Sequence, residues 1–154
     1  MGTFTATTTS HGVVPSSRAE VWSVLTDADL VARLTPFVHS ISTDGDLWRW
    51  QLTSLPVLGT SVTPAFTEQM TFVETSQIDY SHAPPHGRNE RYGVEGRYAL
   101  ADADGGTELS ISLEVCAELP MPRVSGPAVR AAMGAVIGTM GAGFERNFRR
   151  HLGG

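Results

Sequence analysis

The sequence contains no lysine; all 11 of its basic residues are arginine. That excludes a Schiff-base lysine, a pyridoxal-phosphate lysine and the phosphate-binding lysine of a P-loop. Cysteine is almost as scarce. Cys116 stands alone, so no internal disulfide can form, which suits a reducing, cytoplasmic setting. Long apolar runs are missing too. The longest uncharged stretch worth testing, Ala131 to Phe144, is bracketed by Arg130 and Glu145 and falls short of the roughly 20 residues that span a bilayer, so stable membrane insertion is not expected. The opening residues, MGTFTATTTS, have neither a basic region nor an apolar centre, which reads against a signal peptide. Ala6 stands where a myristoylation signal following Gly2 wants Ser or Thr. The net charge is -5 with no basic stripe, so nucleic acid is not an expected partner.

The usual catalytic signatures are also lacking. There is no Gly-x-Ser-x-Gly, no Cys–His motif and no glycine-rich dinucleotide loop after a strand. His82 and His86 have metal-like spacing but straddle Pro84 and Pro85, and His11, His39 and His151 add no cluster. Neither a metal nor a cofactor is expected.

What is present is globular. The chain has 154 residues, 41 % of them apolar, which fits one domain, residues 1–154, with one sizeable core. Its last stretch, Pro127 to Leu152, carries the strongest helical pattern. At about 100° per residue, Val129, Met133, Ile137, Met140, Phe144 and Phe148 fall on one stripe. Arg146, Arg149, Arg150 and His151 crowd the last turns, where the helix dipole favours cations. Gly134, Gly138, Gly141 and Gly143 weaken the same helix by about 1 kcal/mol each relative to Ala. It therefore needs an apolar surface to hold it, and Met133, Ile137, Met140 and Phe144 are expected to be buried there.

Thr3 to Val14 reads as a strand stopped by Pro15. Ser17-Arg-Ala-Glu20 is a capping box for a short helix, and Asp27 can cap a second, Ala28 to Leu34, ended by Pro36. From Phe37 the period changes to two. Strands are predicted over 37–43, 47–53, 62–73, 77–83, 90–100 and 107–119, with hairpin or turn signals at Asp44-Gly45, Pro84 to Gly87 and Asp102 to Gly106. Leu55 to Gly59 breaks the alternation and reads as a loop. The order predicts an α+β arrangement: a curved antiparallel sheet of about six or seven strands wrapped round the long C-terminal helix, with two short helices after the first strand.

That order, with Val13-Val-Pro-Ser-Ser-Arg-Ala-Glu-Val-Trp22, Leu25-Thr-Asp27 and Leu34-Thr-Pro36, resembles the helix-grip fold of the SRPBCC superfamily. Asp44-Gly-Asp-Leu-Trp-Arg-Trp50, Glu95-Gly-Arg97 and Gly106-Thr-Glu-Leu109 are further echoes. The superfamily includes START lipid-transfer domains, polyketide cyclases and the major birch pollen allergen. The resemblance covers essentially the whole chain and implies an apolar ligand held between the sheet and the C-terminal helix. Some members catalyse and many only bind or carry, so fold alone does not choose.

Alternation selects the candidate site. Trp50, Phe66, Met70, Tyr80, Tyr92 and Tyr98 share the inward face of the sheet, and Met133, Ile137, Met140 and Phe144 face it from the helix. These are the candidate ligand-binding residues, and ordinary core packing is the alternative for each. Glu68 interrupts Phe66, Met70 and Phe72 on that face. A buried carboxyl must find a donor or raise its pKa, so Glu68 is either a cavity acid or half of a structural pair with an Arg. His82, beside Tyr80, is a candidate base near the cavity mouth or a strand-end residue with a backbone partner.

Three functions remain open at this level. The first is binding or carriage of a lipid or an aromatic, polyketide-like molecule. The second is a metal-free polyketide cyclase or aromatase, with Glu68 and His82 catalytic. The third is a subunit acting through its surface, because Ala131, Ala135, Thr139 and Ala142 leave the outer side of the helix nearly uncharged and suited to a partner or a homodimer.

Overall fold

The computed structural model describes residues 2–153. The first strand, β1 (Gly2–Val14), leads into two short helices, α1 (Arg18–Leu25) and α2 (Ala28–Leu34). Local polar chemistry sets their starts. The Ser17 hydroxyl accepts from the Glu20 amide at 3.2 Å, and the Glu20 carboxylate accepts from the Ser17 amide at 3.3 Å. Asp27 caps α2 by accepting from the Leu30 amide at 3.1 Å.

Hairpins follow: β2 (Val38–Asp44), β3 (Leu47–Leu52), the short pair β4 (Leu55–Val57) and β5 (Thr60–Val62), then β6 (Ala65–Val73), β7 (Gln77–His82), β8 (Tyr92–Ala103) and β9 (Gly106–Leu119). A 3-10 turn at Arg123–Ser125 enters the long helix α3 (Gly126–His151). Seven strands form one antiparallel sheet in the order β1-β9-β8-β7-β6-β3-β2, and β4 and β5 pair separately. The long strand β9 bridges the two ends of the chain fold, pairing with β1 from Gly2↔Leu119 to Val14↔Thr107 and with β8 along its other edge. This is the α+β helix-grip arrangement.

Two local expectations are corrected. Leu55 to Gly59 is not a plain loop but contributes to a hairpin, whose two-residue turn puts Leu58 and Gly59 at positive φ (48° and 80°). The predicted strand 62–73 is broken at Thr63-Pro64. Pro64 has no N–H for a ladder, but its carbonyl accepts from the Leu52 amide at 2.9 Å, so pairing with β3 restarts at Ala65.

Buried apolar side chains fall into three clusters. One joins α1, α2 and the sheet to Phe148. A second joins Phe4, Leu119 and Met121 to Val129 and Met133. A third gathers Leu52, Leu55 and Phe66 under Met140. The long helix is therefore gripped near both ends. Val129 and Phe148 are 0 % and 1 % exposed. Near the C-terminal grip, Asn147 Nδ2 donates to the Leu34 carbonyl at 2.9 Å, and Gly143 lies so close to Pro36 that a Cβ there would overlap the proline ring.

The middle of α3 departs from expectation. Met133 is buried, but Ile137, Met140 and Phe144 are only half-buried. A helix across a concave sheet meets it at the rims and stands off in between, so these side chains touch the buried clusters on one side and face the cavity on the other.

Two outcomes follow for α3. Phe148→Ala should lower unfolding free energy by about 3–5 kcal/mol, whereas Ile137→Ala should cost clearly less, read from urea midpoints. A Cβ at Gly134 or Gly138 meets nothing within 4 Å, so Gly138→Ala should stabilise by up to about 1 kcal/mol, while Gly143→Ala destabilises.

Candidate functional site

The space beneath α3 is a cavity of about 490 Å³. All ten candidate ligand-binding residues line it. Trp50 comes from β3, Phe66 and Met70 from β6, Tyr80 from β7, and Tyr92 and Tyr98 from β8. Met133, Ile137, Met140 and Phe144 cover it from α3. The Trp50 and Phe66 rings stack with centroids 5.8 Å apart, and the Tyr80 and Tyr98 rings pack at 5.1 Å. The exposed lining residues sit on edge strand β1 (Thr8, Ser10, His11) and on the facing side of α3 (Gly138, Gly141, Glu145), so the mouth lies between these two elements. Arg149 and Glu145 pair there at 3.2 Å. A wider open groove beside α1, α2 and β2 carries none of the candidate residues.

Glu68 also lines the cavity and is 3 % exposed. It is paired in register with Trp48 on β3 and His82 on β7, in the middle of an otherwise apolar strand face. Among the described residues no ion pair reaches it. The basic groups on the neighbouring strands, Arg49 and His82, lie outside the cavity lining and turn toward Glu90. His82 Nε2 lies 3.0 Å from Glu90 Oε1, and Arg49 Nη1 lies 3.7 Å from Glu90 Oε2. The Glu90 carboxylate also accepts from the Thr67 amide at 2.9 Å and from the Thr67 hydroxyl at 2.8 Å. Glu90 thus gathers these donors and cations outside the cavity lining, and Glu68 has only the Trp50 indole N–H beside it. Burial pushes the Glu68 carboxyl from 4.5 up to about 8, against a smaller opposing effect of the Trp50 indole N–H beside it. Burial likewise raises the Tyr80 and Tyr98 hydroxyls, the nearby Glu68 carboxyl adding to the effect. The Tyr80 hydroxyl donates to the Ser112 carbonyl at 3.4 Å. The Trp50 Nε1 is buried beside Glu68 but makes no hydrogen bond of good geometry among the described residues.

His82 occupies a different setting. It is absent from the cavity lining, and its ring packs against Gly93 while bonded to Glu90. Alternation puts His82 on the Glu68 face, but β7 ends at this residue and pairing between β7 and β8 stops at Tyr80↔Gly96, so the ring swings into the gap. Sequence reasoning did not single out Glu90, Arg49 or Thr67. A glutamate between a proline-rich turn and a strand carries no periodic signal. The mouth residues Thr8 and Ser10 had one, since they continue the inward set of Phe4 and Ala6 on β1. Among the described residues, no group of three or more His, Cys, Asp or Glu side chains is placed to hold a metal ion, and no helix is long and apolar enough to cross a membrane.

Seven antiparallel strands and a helix gripped at both ends, with a cavity between them, define a protein of the helix-grip class. The chain belongs to the family described as polyketide cyclase / dehydrase and lipid transport, whose model matches residues 3–152. Among curated proteins the chain has no match. Solved structures resemble it at low identity and show the shared fold. The di-domain ARO/CYC StfQ from the steffimycin biosynthetic pathway has a TM-score of 0.68 at 11 % identity, covering 97 % of this chain, which spans 51 % of that protein. A START superfamily protein from Mycobacterium smegmatis has a TM-score of 0.65 at 17 % identity, covering 95 % of this chain and 96 % of that one. The Zhui aromatase/cyclase from a Streptomyces species has a TM-score of 0.63 at 14 % identity, covering 95 % of both chains.

The raised Glu68 pKa has a stability consequence. The folded state holds this proton more tightly than the unfolded chain does, so its contribution is full below about 4.5 and is lost as pH rises through about 8. Glu68→Gln should remove that part of the pH dependence, so the variant gains on the wild type between pH about 5 and about 9 in paired urea melts.

Proposed function

We propose that this protein binds a hydrophobic small molecule, a lipid or an aromatic polyketide-like compound, in the cavity between sheet and α3, and carries or presents it. The supporting observation is the 490 Å³ space itself, which lies within the usual range for small-molecule sites of about 300–1,000 Å³. Its walls are flat rings and flexible Met side chains, suited to a planar or adaptable guest. Family membership agrees, because the family's description joins lipid transport to polyketide chemistry. A single free cysteine fits action in the cytoplasm, with residues 1–154 working as one unit.

A second reading, a metal-free cyclase or dehydratase, is favoured by one specific observation. Glu68 is an unpaired acid with a pKa of about 8 inside the cavity, close to Tyr98. Such a group can donate a proton to a ketone oxygen or take one from the adjacent carbon near neutral pH. His82 has no part in this reading, since it is engaged by Glu90 outside the cavity lining.

An apolar fluorescent probe should bind in the micromolar range and be displaced by flat aromatics or lipids. Absence of any probe binding to the folded protein would remove both readings. Glu68→Gln then separates them. Retained probe affinity with lost turnover of a polyketone identifies an enzyme, and no turnover in either form identifies a carrier.

A further inference from the structure

The Trp50 Nε1 is the starting observation. It is a buried donor on the cavity wall that lies beside the Glu68 carboxyl but falls short of hydrogen-bond geometry, and Glu68 itself is 3 % exposed. An unsatisfied buried donor costs free energy, and one facing a cavity is satisfied when a guest brings an acceptor. Trp50, Phe66 and Glu68 stand on β3 and β6, five and four strands from the mouth at β1, so they form the far end of the cavity.

Resting on the reading of this cavity as a ligand site, we infer that its far end selects a neutral guest bearing a ketone or quinone oxygen, which accepts from both the Trp50 indole N–H and the Glu68 carboxyl. The stacked Trp50 and Phe66 rings supply a flat apolar contact for the skeleton that carries this oxygen. A carboxylate guest is disfavoured at the same place. Arg49 lies outside the cavity lining, and Arg149 in the lining is paired with Glu145 at the mouth, so among the described residues no unpaired arginine meets the anion there. The groups facing Glu68 are Trp50 on β3, Tyr80 on β7 and Tyr98 on β8, and α3 brings the apolar Val136, Met140 and Phe144 to the lining; its charged lining residues, Glu145 and Arg149, belong with His11 to the mouth. Once Glu68 ionises, it repels the oxygen it had held.

The test uses fluorene, fluorenone and fluorenecarboxylate, titrated by calorimetry into the wild type, Trp50→Phe and Glu68→Gln. Trp50→Phe keeps a ring on Phe66 and removes only the N–H donor. The ratio of fluorenone to fluorene affinity should fall about tenfold in Trp50→Phe. In the wild type that ratio should also fall as pH rises through about 8, and in Glu68→Gln, which keeps a donor without titrating, it should stay flat. The carboxylate should bind more weakly than the ketone. If the ratio is the same in wild type and Trp50→Phe and does not change with pH, the inference is overturned while the cavity reading stands, a trapped water being enough to satisfy the donors. If none of the three compounds binds, the cavity reading itself fails.

Discussion

Everything in this structure depends on how a long helix meets a curved sheet. Contact is made at the two rims, where Val129 packs with Phe4, Leu119 and Met121, and Phe148 packs with the residues of α1 and α2. Fully burying a side chain of this kind contributes about 1.5–3 kcal/mol, so the two grips hold the helix despite its four internal glycines. Between them the chain has no element left to fill the concavity. Apolar burial therefore splits into three clusters around a cavity instead of forming one continuous core.

The second constraint is the distribution of charge around β6. Glu68 points into the cavity, whereas Glu90, outside its lining, lies near one arginine and one histidine. Glu90 takes both, together with the backbone and hydroxyl of Thr67, and so ties the segment before β8 to β6. Glu68 receives none of them. An ionised, unpaired carboxylate at this depth would be costly, and the group stays protonated to a higher pH instead. Around Glu68 the cavity thereby brings together a neutral acid, the Tyr80 and Tyr98 hydroxyls and the Trp50 indole N–H among apolar walls. That is a sparse polar set of the kind that orients a ligand more than it attracts one.

The sequence made most of this legible because two periods dominate it. Alternation on β3, β6 and β8 identified the inward rings, and the 3.6-residue stripe identified the covering side of α3. Glu68 stood out because it broke an apolar alternation. What stayed hidden was long-range or irregular. The β4–β5 hairpin was masked by Pro56 and Gly59, which read as loop. The partial exposure of Ile137, Met140 and Phe144 depends on sheet curvature, which no helical stripe encodes. The pairing of His82 with Glu90 arises where β7 and β8 part company, so the inward position that alternation assigns to His82 does not reach the cavity. The position of the mouth follows from β1 being an edge strand, a property of strand order that local sequence does not carry.

Fold and family place this chain among helix-grip proteins described as polyketide cyclase / dehydrase and lipid transport, and the proposed chemistry rests on the protonation state of one side chain. Carbon-detected NMR titration of the Glu68 side-chain carboxyl reads that state directly at the residue. The account predicts a midpoint of about 8, moving further upward when a neutral ketone occupies the cavity. A midpoint near the ordinary 4.5, unmoved by any guest, would contradict it, because it would mean that Glu68 is hydrated or paired and that the cavity has no neutral acid at its far end.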